Sequence, residues 1–115
     1  MNERKLAGML GLAIRARQAA AGMDASRMMI RTGTCGVLLV DGDAGPNTRK
    51  KASDLCRQAG TPMMILPPGL IEKATGKGSM VIAIREGSFA GQFLQLKEGQ
   101  PDSSSKIMNP ESTKP

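Results

Sequence analysis

The sequence of residues 35–60 is CGVLLVDGDAGPNTRKKASDLCRQAG, in which an unbroken apolar run is followed by a turn and then by a helix pattern. The run Cys35–Val40 contains no charged residue, which predicts a strand covered by other elements on both faces. Pro46 is favoured as the first residue of a helix, and Asn47–Ala59 carries apolar residues on one helical face before Gly60 ends the pattern. This stretch predicts a central strand joined to an amphipathic helix.

The segments on both sides continue the alternation of helices and strands. Before the central strand, we predict a helix over Asn2–Ala16, a short strand over Gln18–Ala21 and a helix from Asp24, as its N-cap, to Thr32. The inward face of this second helix is predicted to contain Met28, Met29 and Ile30. After Gly60, we predict a strand over Pro62–Leu66, a short helix over Pro68–Thr75, a strand over Met80–Ile84 and a last helix over Phe89–Leu96. Such alternation favours crossover connections and helices on both faces of the sheet. The predicted fold class is α/β, a three-layer α/β/α sandwich around a small, mostly parallel mixed sheet.

The composition changes near residue 96. The 115 residues, 40% of them apolar, suffice for one hydrophobic core. Residues 1–96 hold 13 of the 16 Lys and Arg and 7 of the 10 acids, so this part carries the whole excess of positive charge. Beyond Gly99 the chain is rich in Ser, Pro, Lys and Glu and has no periodicity. We predict one α/β/α domain over 1–96 and a disordered polar tail over 97–115.

The composition also excludes most familiar enzyme chemistries. Without histidine there is no Ser-His-Asp triad, no Cys-His pair and no imidazole-bearing zinc site, and two cysteines cannot fill a four-ligand site. Cys35 and Cys56 are predicted to be buried thiols. The first apolar stretch is broken by Arg15 and Arg17, which argues against a signal peptide or membrane span. The sequence predicts a cytoplasmic protein with no catalytic residue, metal or cofactor.

The formal net charge of +6 favours nucleic acid or another acidic surface as the partner. Many single-strand binders stack bases on aromatic side chains, but Phe89 and Phe93 are the only aromatic residues in this chain. We therefore expect nucleic-acid binding without a base-stacking platform.

Two loops combine glycines with cations. In residues 41–51, the start of a helix and the run Arg49-Lys50-Lys51 can seat a phosphate, although a turn followed by a solvated helix face accounts for them equally well. Asp41 and Asp43 suit Mg²⁺ or, with Lys50, a phosphoryl-transfer site as less favoured alternatives.

The second loop lies before the last predicted strand. Gly76-Lys77-Gly78-Ser79 follows Lys73, and its glycines allow a polyanion to approach the backbone closely. Alone, this loop is a weak indication of binding.

Several motifs follow one another in a characteristic order. They are LGLAIRA at 10–16, Gly22, Gly33, VLLV at 37–40, DAGPNTRKK at 43–51 and KATGK at 73–77. Together they resemble the bacterial YlxQ family, within the ribosomal L7A/L30-type superfamily of kink-turn RNA binders, over residues 3–96. The resemblance implies an L30-type α/β/α fold that grips a sharply bent RNA helix. It implies that the grip comes from the start of the second helix and the loop before the last core strand.

The resemblance also implies which residues contact RNA. It places Gly22, Met23 and Asp24 at the G-x-N motif, which approaches the tandem G·A pairs of a kink-turn. The other candidate RNA-binding residues are Arg15, Arg17, Gln18, Arg27, Arg31, Asp43, Lys73, Gly76, Lys77, Gly78 and Ser79. The cations among them are expected to contact phosphates, which position an RNA without reading its sequence.

Two functions remain open at this point. The first is a non-enzymatic protein that captures structured RNA, such as ribosomal RNA, ribonuclease P RNA or another kinked helix. However, Asp24, Ala25 and Met28 stand where the strongest binders of the superfamily have Asn, Glu and Lys. The alternative is therefore a protein-interaction module of the same fold, with ribosomal or ribonucleoprotein components as partners.

Overall fold

The computed structural model describes residues 3–98 of the chain. In chain order, its elements are α1 (Glu3–Arg15), β1 (Ala19–Ala21), α2 (Met23–Arg31), β2 (Cys35–Asp41), α3 (Pro46–Ala59), β3 (Met63–Leu66), α4 (Leu70–Thr75), β4 (Val81–Arg85) and α5 (Ser88–Glu98). Every predicted helix and strand is present, with bounds that shift by a few residues.

The four strands form one mixed sheet in the order β1-β4-β2-β3. β2 and β3 are parallel, with Leu38 opposite Met63, whereas β4 is antiparallel to both β1 and β2. The prediction of a mostly parallel sheet is wrong, since one of the three pairings is parallel. The cause is the shortness of α4, whose six residues span about 9 Å, against about 23 Å for the seven residues of β2. The chain therefore stays at the end where β3 finishes, and β4 starts from there.

Helices cover both faces of this sheet. The first core, beneath α1, α4 and α5, contains Leu6, Met9, Leu10, Ala13, Val37, Leu39, Met64, Leu66, Leu70, Ile71, Ile82, Ile84, Ala90 and Phe93. The second core, beneath α2 and α3, contains Ile30, Cys35, Leu38, Val40, Ala44, Ala52, Cys56, Val81 and Ala83. From Val37 to Val40, successive residues of β2 alternate between the two cores, so the burial predicted for both faces of this strand is confirmed.

Helix α2 differs from its prediction at its start and on its exposed face. Its N-cap is Gly22 rather than Asp24, and no side chain caps the first turn. Ile30 faces the core as predicted, but Met28 is 65% exposed. The prediction for Met28 is wrong because the buried stripe of the helix passes through Ser26 and Ile30.

Helix α5 packs closely on β2. A Cβ atom at Gly36 would lie 2.6 Å from the Cβ atom of Ala90, so glycine is required for this approach. The helix continues to Glu98, two residues past the predicted end of the domain. The rest of the predicted tail, residues 99–115, lies outside the described residues.

The turn between α1 and β1 holds an arginine in the left-handed conformation. Gln18 N–H donates to the carbonyl oxygen of Ala13 at 2.8 Å, and Arg17 N–H donates to that of Ile14 at 3.0 Å. These are the two bonds of a Schellman helix end, in which glycine is the usual residue at the position of Arg17. Arg17 has a φ of 59° and is the one non-glycine residue in the described range with a positive φ. The turn therefore stores about 1 kcal/mol of backbone strain.

Glycine at position 17 should stabilise the protein. We expect Arg17→Gly to raise the free energy of unfolding by about 1 kcal/mol, because glycine adopts a positive φ without strain. Arg15→Gly is the control, since glycine at the last residue of α1 relieves no strain and should lower stability by about 0.5 kcal/mol. Urea unfolding measures both values, and a destabilised Arg17→Gly variant would contradict the account of this turn.

Both cysteines are free, buried and part of the second core, as predicted. Burial raises the pKa of the Cys35 thiol. Burial also raises the pKa of Cys56 from 9.0 to about 11, and the nearby Cys35 adds to this shift. The thiolate is the reactive form of cysteine, so both side chains are unreactive near neutral pH.

The raised pKa of Cys56 should make stability fall at high pH. Below pH 9 the thiol is protonated in both the folded and the unfolded chain, whereas between pH 9 and about 11 only the unfolded chain loses the proton. The free energy of unfolding should fall across this range, and less so in Cys56→Ser, whose hydroxyl does not titrate there. Urea unfolding at a series of pH values tests this, and identical pH profiles for the two proteins would contradict it.

Candidate nucleic-acid interface

One end of the sheet gathers the segments that lead into α2, α3 and α4. β2 ends there at Asp41, whose N–H donates to the carbonyl oxygen of Met80 at 2.8 Å, just before β4 begins. Gly22 N–H donates to the carbonyl oxygen of Val81 at 2.9 Å, so α2 starts beside β4. We call this region the α2 end and define it as residues 22–27, 41–45 and 67–80.

A buried carboxylate joins two loops of the α2 end. Asp41 is 1% exposed, and its Oδ1 accepts a hydrogen bond from Asp43 N–H at 2.8 Å. Gly69 N–H donates to Oδ2 of the same carboxylate at 3.1 Å. Both oxygens are thus occupied by backbone groups, and the described residues contain no cluster of three side chains suited to a metal ion. The carboxylate therefore holds the two loops together.

Two of the three adjacent cations after this loop are engaged within the protein. Arg49 Nε donates to the carbonyl oxygen of Ala44 at 3.0 Å, and its Nη2 donates to that of Gly42. Lys50 Nζ lies 3.3 Å from the carboxylate of Asp54. Within the run considered from sequence as a phosphate seat, Arg49 therefore holds the loop and Lys50 pairs on the surface of α3.

The start of α2 presents bare backbone. Gly22 has φ 98° and ψ 158°, a backbone conformation that glycine adopts readily and other residues rarely adopt. No side chain caps the N–H groups that follow. A helix N-terminus with free N–H groups favours a negatively charged ligand. Asp24, fully exposed in this first turn, instead pairs with Arg27 at 3.2 Å. Arg27, the cation nearest to the start of α2, is therefore already paired within the protein.

The glycine-rich loop before β4 completes the α2 end. Gly76 ends α4, and Lys77 N–H donates to the hydroxyl of Thr75 at 3.0 Å. Lys73 and Lys77 are exposed and form no ion pair within residues 3–98. They are the two cations of the α2 end that remain free for a ligand.

Four of the residues predicted to bind RNA lie at the opposite end of the sheet. Arg15 and Arg17 end α1, and Gln18 accepts a hydrogen bond from Arg85 N–H at 2.8 Å where β1 begins. Arg31 ends α2, which runs away from Gly22. We call this region the arginine end and define it as residues 15–18, 31–34 and 85–86.

The predicted site residues therefore fall into two groups. Those at the α2 end are Gly22, Met23, Asp24, Arg27, Asp43, Lys73, Gly76, Lys77, Gly78 and Ser79, and those at the arginine end are Arg15, Arg17, Gln18 and Arg31. Sequence reasoning missed Arg85, which joins the second group because β4 pairs antiparallel with β1. It also missed the role of Asp41, since a contact across 28 positions in the chain leaves no local pattern.

Comparison with known proteins places the chain in a family. It is 31% identical over 90 residues to the RNA-binding protein YlxQ of Bacillus subtilis (strain 168), and the match spans 76% of this chain and 90% of that protein. The chain belongs to the YlxQ family. No protein-family model matches it. The resemblance found in the sequence is thereby confirmed.

Solved structures share the fold of this YlxQ-family protein. A protein of unknown function from Bacillus halodurans C is 28% identical and superimposes with a TM-score of 0.73, over 80% of this chain and 95% of that one. The Giardia lamblia 15.5kD RNA binding protein is 14% identical and superimposes with a TM-score of 0.64 over 79% of each chain. The Thermoplasma acidophilum Pelota protein, also 14% identical, gives 0.57 over 73% of this chain and 28% of that one. The predicted α/β fold class of the ribosomal L30 type is confirmed.

Within the part of the chain that the structure describes, no helix of this YlxQ-family protein has both the length and the apolar character needed to cross a bilayer.

Removing the Asp41 carboxylate should loosen the α2 end. Asp41→Ala leaves the N–H groups of Asp43 and Gly69 without the buried carboxylate that accepts their hydrogen bonds, which should lower the free energy of unfolding by about 2 kcal/mol. Asp43→Ala removes an exposed carboxylate from the same loop and should change stability by less than about 0.5 kcal/mol. Urea unfolding compares the two variants, and equal stabilities would show that the carboxylate does not hold the loops.

Proposed function

We propose that this chain is a cytoplasmic, non-enzymatic RNA-binding protein that recognises structured, kink-turn-like RNA associated with the ribosome or ribonuclease P. The observation that carries this proposal is the uncapped start of α2 at Gly22, beside the glycine-rich loop that leads into β4. These are two separate segments of the chain that meet at one end of the sheet. The name of the Bacillus subtilis relative, an RNA-binding protein, supports the same class of ligand.

Recognition would depend on the shape of the RNA. The free N–H groups at the start of α2 suit a phosphate or a polar base edge, and Gly22 has no Cβ atom to keep the RNA away. Lys73 and Lys77 would add charge-assisted contacts to the backbone on one side. Binding would then stabilise the bent RNA by its higher affinity for that form over the extended one.

This function needs no cofactor, metal or catalytic group. The proposed partners are ribosomal RNA, ribonuclease P RNA or another kinked helix, together with ribosomal or ribonucleoprotein components that adjoin the RNA. The protein would distinguish kinked RNA from other RNA by the fit between its own fixed surface and the bend of the RNA, because the phosphate contacts are independent of sequence.

One observation favours a protein partner as the second candidate. Met28 is 65% exposed on α2, one position after the Asp24–Arg27 ion pair, and exposed methionine is common at adaptable protein-binding surfaces. In this candidate, α2 contacts a ribosomal or ribonucleoprotein component and RNA binding is lost.

A titration with two matched hairpins tests the choice. One hairpin contains a kink-turn, and in the other the G·A pairs are replaced by Watson–Crick pairs. We expect the kinked hairpin to bind at least about tenfold more tightly at both low and physiological salt, a difference of about 1.4 kcal/mol. Equal binding that weakens strongly with salt would contradict shape recognition, and no binding would favour the protein-partner candidate.

A substitution at Asp24 sharpens this test. Asp24→Asn removes a negative charge from the helix start, frees Arg27 and leaves the fold intact because the side chain is fully exposed. It should tighten binding of the kinked hairpin by about fivefold, or about 1 kcal/mol. Asp54→Asn on α3 changes the net charge equally and should have little effect. Equal gains from both variants would show that only the net charge matters.

A further inference from the structure

The two ends of the sheet differ in charge. The α2 end holds three cations, Arg27, Lys73 and Lys77, against four acids, and the guanidinium of Arg49 adds a fourth cation beside its loop at 41–45. The arginine end, with far fewer residues, holds four arginines and one acid, Glu86. A polyanion is therefore attracted more strongly to the arginine end than to the α2 end.

Backbone hydrogen bonds bring these four arginines to the same end of the sheet. Arg85 N–H donates to the carbonyl oxygen of Gln18 at 2.8 Å on one side of β4, and Glu86 N–H donates to that of Thr34 at 2.9 Å on the other. Since neighbouring strands lie about 4.8 Å apart, Gln18 and Thr34, on the two sides of β4, lie about 10 Å from each other. The arginines thus come from both helix layers and from the sheet between them.

The guanidinium groups of these arginines are available. Arg15, Arg17, Arg31 and Arg85 are all exposed, and none forms an ion pair or side-chain hydrogen bond with another residue between 3 and 98. By contrast, Arg27 and Arg49 have partners within the protein. Four unpaired arginines at one end of the sheet suit phosphate groups, which the planar guanidinium binds with two hydrogen bonds.

Helix polarity alone does not explain this cluster. Cations are favourable near the C-terminus of any helix, and this accounts for Arg15 and Arg31. Arg85 ends a strand, and Arg17 lies beyond α1 with a φ of 59° that glycine would adopt without strain. Position 17 therefore carries an exposed charge at the expense of stability, as is common at functional sites.

We propose that the arginine end is a second RNA-binding surface, which binds the phosphate backbone of a plain duplex while the α2 end binds a kinked RNA. This inference rests on the proposed RNA-binding function and adds a separate surface to it. A-form RNA exposes its phosphates and 2′-hydroxyls across a wide, shallow minor groove, so contacts there need no base recognition. One protein can then join two helical segments from opposite ends of its sheet.

Binding of a plain RNA duplex of about 16 base pairs, titrated over a range of salt concentrations, tests the surface. In Arg17→Gln/Arg85→Gln, affinity at low salt should fall by about tenfold or more, and the slope of log affinity against log salt should decrease by about two. Lys50→Gln/Lys51→Gln on α3 removes the same charge and should keep the wild-type affinity and slope. A double arginine variant that binds like the wild type, or a wild type that does not bind the duplex, would overturn the proposal.

Two further measurements separate this surface from the α2 end. Arg17→Gly should bind the duplex more weakly although it is more stable than the wild type, so its loss of affinity does not reflect unfolding.

With differently labelled RNAs, the wild type bound to a kinked hairpin should also bind the duplex, and Arg17→Gln/Arg85→Gln should keep only the hairpin. Competition of the two RNAs for one surface would overturn the proposal. A wild type that binds the duplex through these arginines but shows no preference for the kinked hairpin would contradict the proposed function and not this surface.

Discussion

The antiparallel pairing of β4 with both β1 and β2 determines where the candidate functional residues lie. Because β4 begins beside the end of β2, the loop before it meets the start of α2, with Gly22 bonded to Val81. Because β4 runs antiparallel to β1, its last residue, Arg85, lies beside Gln18, just before the start of β1. Parallel pairing would have exchanged these neighbours and put Arg85 at the α2 end.

Local patterns predicted the elements but not this pairing. The apolar run of β2, Pro46 at the start of α3 and Gly60 at its end each follow from interactions within a few residues, and the structure agrees with all three. Strand direction depends instead on whether α4 is long enough to cross the sheet. The sequence indicates that α4 is short, but alternation alone favoured a parallel sheet.

The candidate site shows the same limit. The glycine-rich loop and the G-x-N position were found from sequence because each is contiguous. Met28 was placed wrongly, since α2 has nine residues and its buried stripe includes a serine, so hydrophobicity was a poor guide to the inward face. The predicted cations are divided between the α2 end and the arginine end because each helix has a particular direction relative to the sheet. This direction is known only once the fold is known.

The charge distribution bears on how affinity and selectivity are combined in the proposed function. Contacts to phosphates strengthen binding without choosing a sequence, and they weaken as salt is added. At the α2 end, four acids offset the three cations and the adjoining Arg49, so selection there has to come from backbone groups and shape. At the arginine end the opposite holds, because four guanidinium groups can contact phosphate but nothing there is built to read a base. Separation of the two ends by the length of the sheet thus allows a weak, shape-dependent contact and a strong, unselective one to act on the same RNA.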